Sequence, residues 1–374
     1  MRVIRKKNRK RGNVMKIIKI GEPEIIMSNP DSKHNYFAWP TITRLQNGKI
    51  AVGASGYRLS HICPFGKACI SYSEDNGKTY TRPAPVIDSV MDDRDVGLCT
   101  FGKSGLILTS FTYSVSREFL RKIMVAGWEQ CVKNEQEKNY VYSYLDTITD
   151  EEEEKYLASE FKISNDCGIT FSEIYHSPIT SPHGPIELND GSVLWVGENY
   201  KNKQIEAHTI YPDGSMKKIG EIETIFEDGK TVGMCEPYAL QLSDGTIVCH
   251  IRINKDFSLY QTVSKDNGKT WTKPERVLEP QGGAPAFLLE HSSGVLVCVY
   301  GYRKEPYGIR AMFSKDGGVT WDKNHVLYET TTSADIGYPS IIELEDKSIL
   351  MVFYAKDEVS KQTVIMQQNW HFEE

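Results

Sequence analysis

A chain of 374 residues, 40% hydrophobic and 25% charged, has material for a large core, built either as two ordinary domains or as one large repetitive one. A net charge of −6 offers no basic face for neutralising phosphates, which argues against nucleic acid as a partner. No stretch approaches the ~20 apolar residues that a membrane span requires.

The first residues, 1–15, carry the run RVIRKKNRKRG with no apolar segment behind it, so they lack the hydrophobic stretch of a secretory leader and are expected to form a solvated tail. A working start at Met15 would also explain them. The eight cysteines form no CxxC pair and no Cys/His cluster at zinc-ligand spacing, and several sit in apolar strand-like runs. They read as reduced core residues of a cytoplasmic protein. No cofactor or metal is implied: no HExxH occurs, and the carboxylates lack EF-hand spacing.

From Lys16 the chain shows an internal repeat. KIIKIGEPEIIM predicts an outer strand, and WPTITRLQNGKIAVGASGYR, from Trp39, predicts a hairpin whose turn, NG, tolerates positive φ. Similar hairpins start at Gly184, Glu236, Ala284 and Tyr338, and a degenerate one starts at Asp95, making six. Between them recur SEDNGKTY from Ser73, SNDCGITF from Ser164, SKDNGKTW from Ser264 and SKDGGVTW from Ser314. In each, Asp and Gly suit a tight turn, Thr ties down the loop and the aromatic packs back, so these aspartates are structural. Residues 114–160 interrupt the rhythm with two helical patterns, SREFLRKIMVAGWEQCV and DEEEEKYLASE, the second opened by acidic residues. This insertion joins strands 2 and 3 of the second unit and is either a wall or lid of a site or a packing elaboration.

If each unit is a four-stranded blade, every strand 1 begins, and every strand 2 ends, at one end of the axis. Strand 1 starts would then contribute Asp93, Arg94, Asp95, His183, Glu236, Asp335 and Tyr338, and strand 2 ends Arg58, Glu198, Arg252, Arg303 and Tyr354. Alternation along the strand would point Asp93 and Asp95 the same way. Trp39, His34 and Tyr36 are candidates for stacking on a ligand face.

The four SxDxGxT boxes and the hairpin repeat resemble the Asp boxes and blades of the sialidase superfamily, over the chain from about Lys16 to the end. The resemblance implies an all-β, six-bladed β-propeller spanning 16–374, with a helical insertion in its second blade. It also implies an exo-acting glycoside hydrolase with a carbohydrate substrate, a tyrosine nucleophile activated by a glutamate. Tyr338 resembles that nucleophile and Glu236 its partner, since a phenol with a pKa near 10 needs a close carboxylate to take its proton. Arg252 and Arg310 fall where two of the family's three carboxylate-clamping arginines fall.

The first blade departs from the pattern. Ala38 stands where the family has its first arginine, Tyr354 where that arginine has its acidic support, and the loop from Gly56 to Cys69 lacks the family's acid aspartate. Two repairs are open. Arg58 could supply the clamp while His61 or Asp95 transfers the proton. Alternatively the substrate is a different acidic sugar, and MDDRDVG, with Asp93 and Asp95, supplies the acid. Glu236 could also act with Asp93 or Asp95 as a two-carboxylate glycosidase, or the propeller could bind carbohydrate without turnover. His183, in SPHGPIEL, is a candidate hydrogen-bond partner of a sugar hydroxyl.

Overall fold

A computed structural model describes residues 15–112, 135–227, 229–280 and 285–373. The basic run and the first helical pattern of the insertion lie outside them. Six antiparallel sheets form six blades, each ordered from an inner strand outward.

Blade 1 comprises Tyr36–Arg44, Ile50–Arg58, Lys67–Ser73 and Ala84–Ile87; blade 4 comprises Met234–Gln241, Ile247–Ile253, Leu259–Ser264 and Glu275–Leu278. Blade 6 takes three strands from the C-terminal end and its outermost, Lys16–Met27, from the N-terminal end. Lys16 pairs with Glu373 and Met27 with Ile365, so the ring is closed by strand pairing between the two ends of the chain. Met15 belongs to the fold rather than the tail, being buried and donating its amide to Asp322.

Inner strands are buried because blades pack face to face around the axis, which is why their sequences run apolar instead of alternating. Where the inner strands of blades 2 and 3 approach most closely, Gly97 faces Gly184: a Cβ on Gly97 would lie 2.4 Å from the Gly184 nitrogen.

The four boxes are turns between strands 3 and 4, on the rim opposite the strand 1 starts. In the first, Asp75 accepts the Thr79 amide at 2.8 Å and the Thr79 hydroxyl at 2.6 Å, while Ser73 Oγ accepts the Gly77 amide. The same bonds recur around Asp166, Asp266 and Asp316. These aspartates hold the turns.

The insertion in blade 2 carries two described helices, Glu135–Leu145 and Asp150–Tyr156. A reciprocal capping box of Thr149 and Glu152 starts the second, with four acidic residues in its first turn facing the positive end of the helix dipole. Val141, Leu145 and Ile148 pack on Met91 and on Leu59, Ile62 and Phe65 of the blade 1 loop, so the insertion buttresses the strand 1 rim.

Candidate active site at the axial end of the propeller

Four inner strands carry the same irregularity. The ladder slips after Ala38, Arg94, Cys235 and Gly337, and within each slip one residue takes a positive φ: Trp39 (56°), Asp95 (40°), Glu236 (49°) and Tyr338 (50°). Positive φ is uncommon for bulky residues, and a bulge re-aims the side chain it contains. Three of the four precede a proline (Pro40, Pro237, Pro339), a residue sheets admit at bulges because it has no N–H to pair. In blade 3, Gly184 before Pro185 has φ 79°.

Tyr338 donates its hydroxyl hydrogen to Glu236 Oε1 at 2.7 Å, and Arg252 Nη1 donates to the other oxygen, Oε2, at 2.5 Å. Burial, then the carboxylates of Glu236 and Asp95, push the Tyr338 phenol well above its ordinary pKa. At rest it is therefore a phenol, with its proton directed at the Glu236 carboxylate. Asp95 is 6% exposed, and its carboxyl is pushed up to about 7 by burial. Asp95, Glu236 and Arg252 line one cavity of about 1090 Å³, with Glu198 and Tyr200 of blade 3 and Leu157 at the end of the insertion. The insertion is thus part of the cavity wall.

The bulge at Asp95 breaks the alternation expected in MDDRDVG, so the two aspartates do not face the same way. Asp93 accepts the amide and hydroxyl of Ser89, both at 2.7 Å, and is fully buried. It is held by its own loop and does not line the cavity.

Arg58 is likewise committed inside the protein: it has no exposure, its Nη2 donates to Asp92 Oδ2 at 3.0 Å, and its Nη1 lies 2.6 Å from Oδ1. The expected clamp is a buried ion pair. Its guanidinium and that of Arg94 lie 4.8 and 4.1 Å from the Trp39 ring centroid, close enough for cation–π attraction. Trp39 is itself 2% exposed, so it fills the axis and is not open for stacking on a sugar.

Arg310 is not beside the pair. It bonds Glu329 at 2.8 Å within blade 5 and lies over Tyr302, whereas the second arginine whose charge reaches Tyr338 is Arg303. Arg303 directly follows strand 2 of blade 5, much as Arg252 lies at the end of strand 2 of blade 4, and that position was the legible signal. Its Nε donates to the Ile336 carbonyl and its Nη2 to the Tyr354 hydroxyl, both at 2.9 Å. Tyr354 in turn donates to Asp335 at 3.0 Å, and Tyr36 donates to the same carboxylate at 2.8 Å. His61 Nδ1 lies 3.1 Å from it. Against the penalty of burial, the bonds from His61 and Tyr36 and the charge of Arg303 hold Asp335 well below the usual carboxylate range.

His183 is 1% exposed; its Nδ1 pairs with Thr41 Oγ1 at 2.9 Å, and its ring packs edge-on to Tyr238 and Phe287. Burial pulls its pKa to about 3, so it is a neutral ring packed inside the protein, not a group on the cavity wall.

A family model described as a BNR repeat-like domain matches residues 128–351. The chain belongs to the BNR repeat-like family. Solved structures similar to this BNR repeat-like protein include a protein of unknown function from Dyadobacter fermentans, at TM-score 0.72 and 18% identity over 96% of this chain and 99% of that one. Another is the intramolecular trans-sialidase of Ruminococcus gnavus, at TM-score 0.61 and 13% identity over 93% and 97%. A third is the α-L-arabinanase of Penicillium chrysogenum, at TM-score 0.57 and 13% identity over 95% and 98%. A comparison with curated protein sequences finds no match. At these identities the likeness establishes the sialidase-like propeller fold.

Proposed function

We propose that this BNR repeat-like protein is a glycoside hydrolase that removes a terminal sugar at the axial cavity. The observation that carries the proposal is the Tyr338–Glu236 hydrogen bond of 2.7 Å, beside a cavity that Asp95 and Glu236 share.

In the first step the Tyr338 oxygen attacks the anomeric carbon as Glu236 takes the phenolic proton. The glycosidic C–O bond breaks, and Asp95, whose carboxyl is pushed up to about 7, gives its proton to the leaving oxygen. In the second step water attacks the same carbon, Asp95 recovers a proton from it, and the tyrosyl bond breaks with the proton returning from Glu236. Two displacements at one carbon give retention of configuration. Arg252 fixes Glu236 through the oxygen that Tyr338 does not use. The sialidase and arabinanase among the fold neighbours support chemistry at a glycosidic bond, and leave the sugar open.

Because Asp95 and Glu236 line the same cavity, a two-carboxylate hydrolase that bypasses Tyr338 is the second possibility. A panel of aryl glycosides, with a sialoside, uronides and neutral sugars, assayed against wild type and Tyr338→Phe, separates the two. Loss of turnover in the variant supports the tyrosine mechanism; unchanged turnover removes Tyr338 as nucleophile.

A further inference from the structure

The residues that line the axial cavity all come from blades 2, 3 and 4, and in blade 2 they span the full width of the sheet. Asp95 lies on strand 1, Phe111 on strand 2, Ala158 directly before strand 3 and His176 on strand 4. Four strand positions at the ordinary spacing of ~4.8 Å make an arm about 14 Å long, running outward from Asp95. The volume of the cavity, about 1090 Å³, exceeds the roughly 300–1,000 Å³ that encloses a drug-sized ligand, so one sugar ring does not fill it.

The opening has a cause in the chain. The other five blades each have one inner strand, whereas blade 3 has two short ones, Ile179–Thr180 and Ile186–Glu187, both paired with Val193–Asn199. Between them residues 181–185, SPHGP, leave the ladder, and Pro182 and Pro185 have no N–H to give it. Ser181 and Pro182, at that break, are on the cavity wall. Pro178 alone separates the outer strand of blade 2, Tyr175–Ser177, from blade 3, so the two blades form one continuous wall.

The arm joins apolar faces to polar edges. The rings of Phe111 and Tyr200 lie 6.4 Å apart and Leu157 is 37% exposed, with Asn199 and Lys201 on the same wall. A sugar chain has matching surfaces: C–H faces that pack on rings, and hydroxyls that bond amides and ammonium groups. At the far end the His176 side chain is 55% exposed, so the arm is open and a longer chain can continue out of it.

On the glycosidase proposal Asp95 gives its proton to the leaving oxygen, which puts the leaving group on the blade 2 side of the broken bond, in the arm. We infer that this leaving group is a carbohydrate chain of at least two sugars, so that the protein trims the end of an oligosaccharide, and that Phe111, Leu157 and Tyr200 select for its length. The inference rests on the glycosidase proposal for the direction in which the substrate lies.

An array of immobilised natural glycans, from single sugars to hexasaccharides, attached at their reducing ends, tests it with the full-length wild type and with Tyr338→Phe, the variant guarding against loss of ligand by cleavage. Among glycans sharing one terminal sugar, those of three or more units should be retained about tenfold better than the single sugar, and Leu157→Trp, which narrows the arm, should reduce that ratio several-fold. Single sugars retained as well as their extensions overturn the inference. So does an octyl glycoside of the same sugar that displaces the protein at a lower concentration than the free oligosaccharide, or an array on which nothing is retained. All three outcomes are read on wild type and stand even if Leu157→Trp misfolds. Retention of long glycans with no release of their terminal sugar overturns the catalytic proposal and leaves the arm's length selection standing. Release from single-sugar aryl glycosides as fast as from trisaccharides, with no difference in retention, overturns this inference and leaves the catalytic proposal standing.

Discussion

Tyr338 and Glu236, 102 positions apart in the chain, meet through a 2.7 Å hydrogen bond across the axis. Each sits in an inner-strand bulge at positive φ. Strain of this kind costs of order 1–3 kcal/mol per residue and persists only where the surroundings impose it, so the pair is held in position before substrate binds.

Tyr338→Phe keeps the ring and its packing on Trp39 and Tyr354 and removes only the oxygen. We expect kcat to fall about 10³-fold with KM little changed, and thermal melting to stay within a few degrees of wild type. A variant that melts normally and turns over normally contradicts the tyrosine mechanism.

On the proposed mechanism Asp95 sets the pH dependence. As the proton donor it must be protonated in the first step, so activity should decline as pH rises through about 7, and Asp95→Asn should lose activity at every pH. The linkage has the same sign: a carboxyl with its folded pKa raised favours folding at low pH and loses that contribution as pH rises from about 4 to about 7. Asp95→Asn should therefore melt higher than wild type above pH 7. A pH series of melting curves in which the two proteins run parallel would sink the assignment.

Arg58→Met leaves Asp92 buried without its main partner and should destabilise the fold by about 3–5 kcal/mol in urea titrations. Replacing Asp92 by Leu in the same chain should recover part of that loss. No recovery in the double variant would show that Arg58 acts chiefly through its bonds to the Ser60 and His61 carbonyls.

Asp266→Ala removes the acceptor of two bonds from Thr270 on the rim opposite the cavity. Melting should drop by a few degrees while kcat and KM stay at wild-type values. A kinetic defect at unchanged stability would mean that the box communicates with the axis.

Much of the architecture was legible because it is repeated. Six hairpins and four boxes each report the same local physics: turn residues tolerant of positive φ, and an Asp–Thr tie that closes a loop on itself. Blade starts converging on one end put Tyr338 and Glu236 on the same rim, and the resemblance to the sialidase superfamily implied that they pair. Harder to see was the consequence of the bulges. Alternation in MDDRDVG suggested that Asp93 and Asp95 act together, but one slipped residue separates their surroundings. The resemblance put Arg310 in the carboxylate clamp, whereas the third strand of blade 5 carries it to Glu329 and it is Arg303 that bonds Tyr354 near Tyr338.

The sequence by itself determined the blades, the boxes, the closing strand and the rim to which the polar residues belong, because these depend on periodicity and on short-range turn chemistry. Only the tertiary structure decided which of those polar residues reach the cavity and which are consumed by one another. Arg58 with Asp92, Asp93 with Ser89 and His183 with Thr41 are outcomes of burial, in which a charged or polar group must find a partner within hydrogen-bond reach, and such partners are set by packing within and between blades.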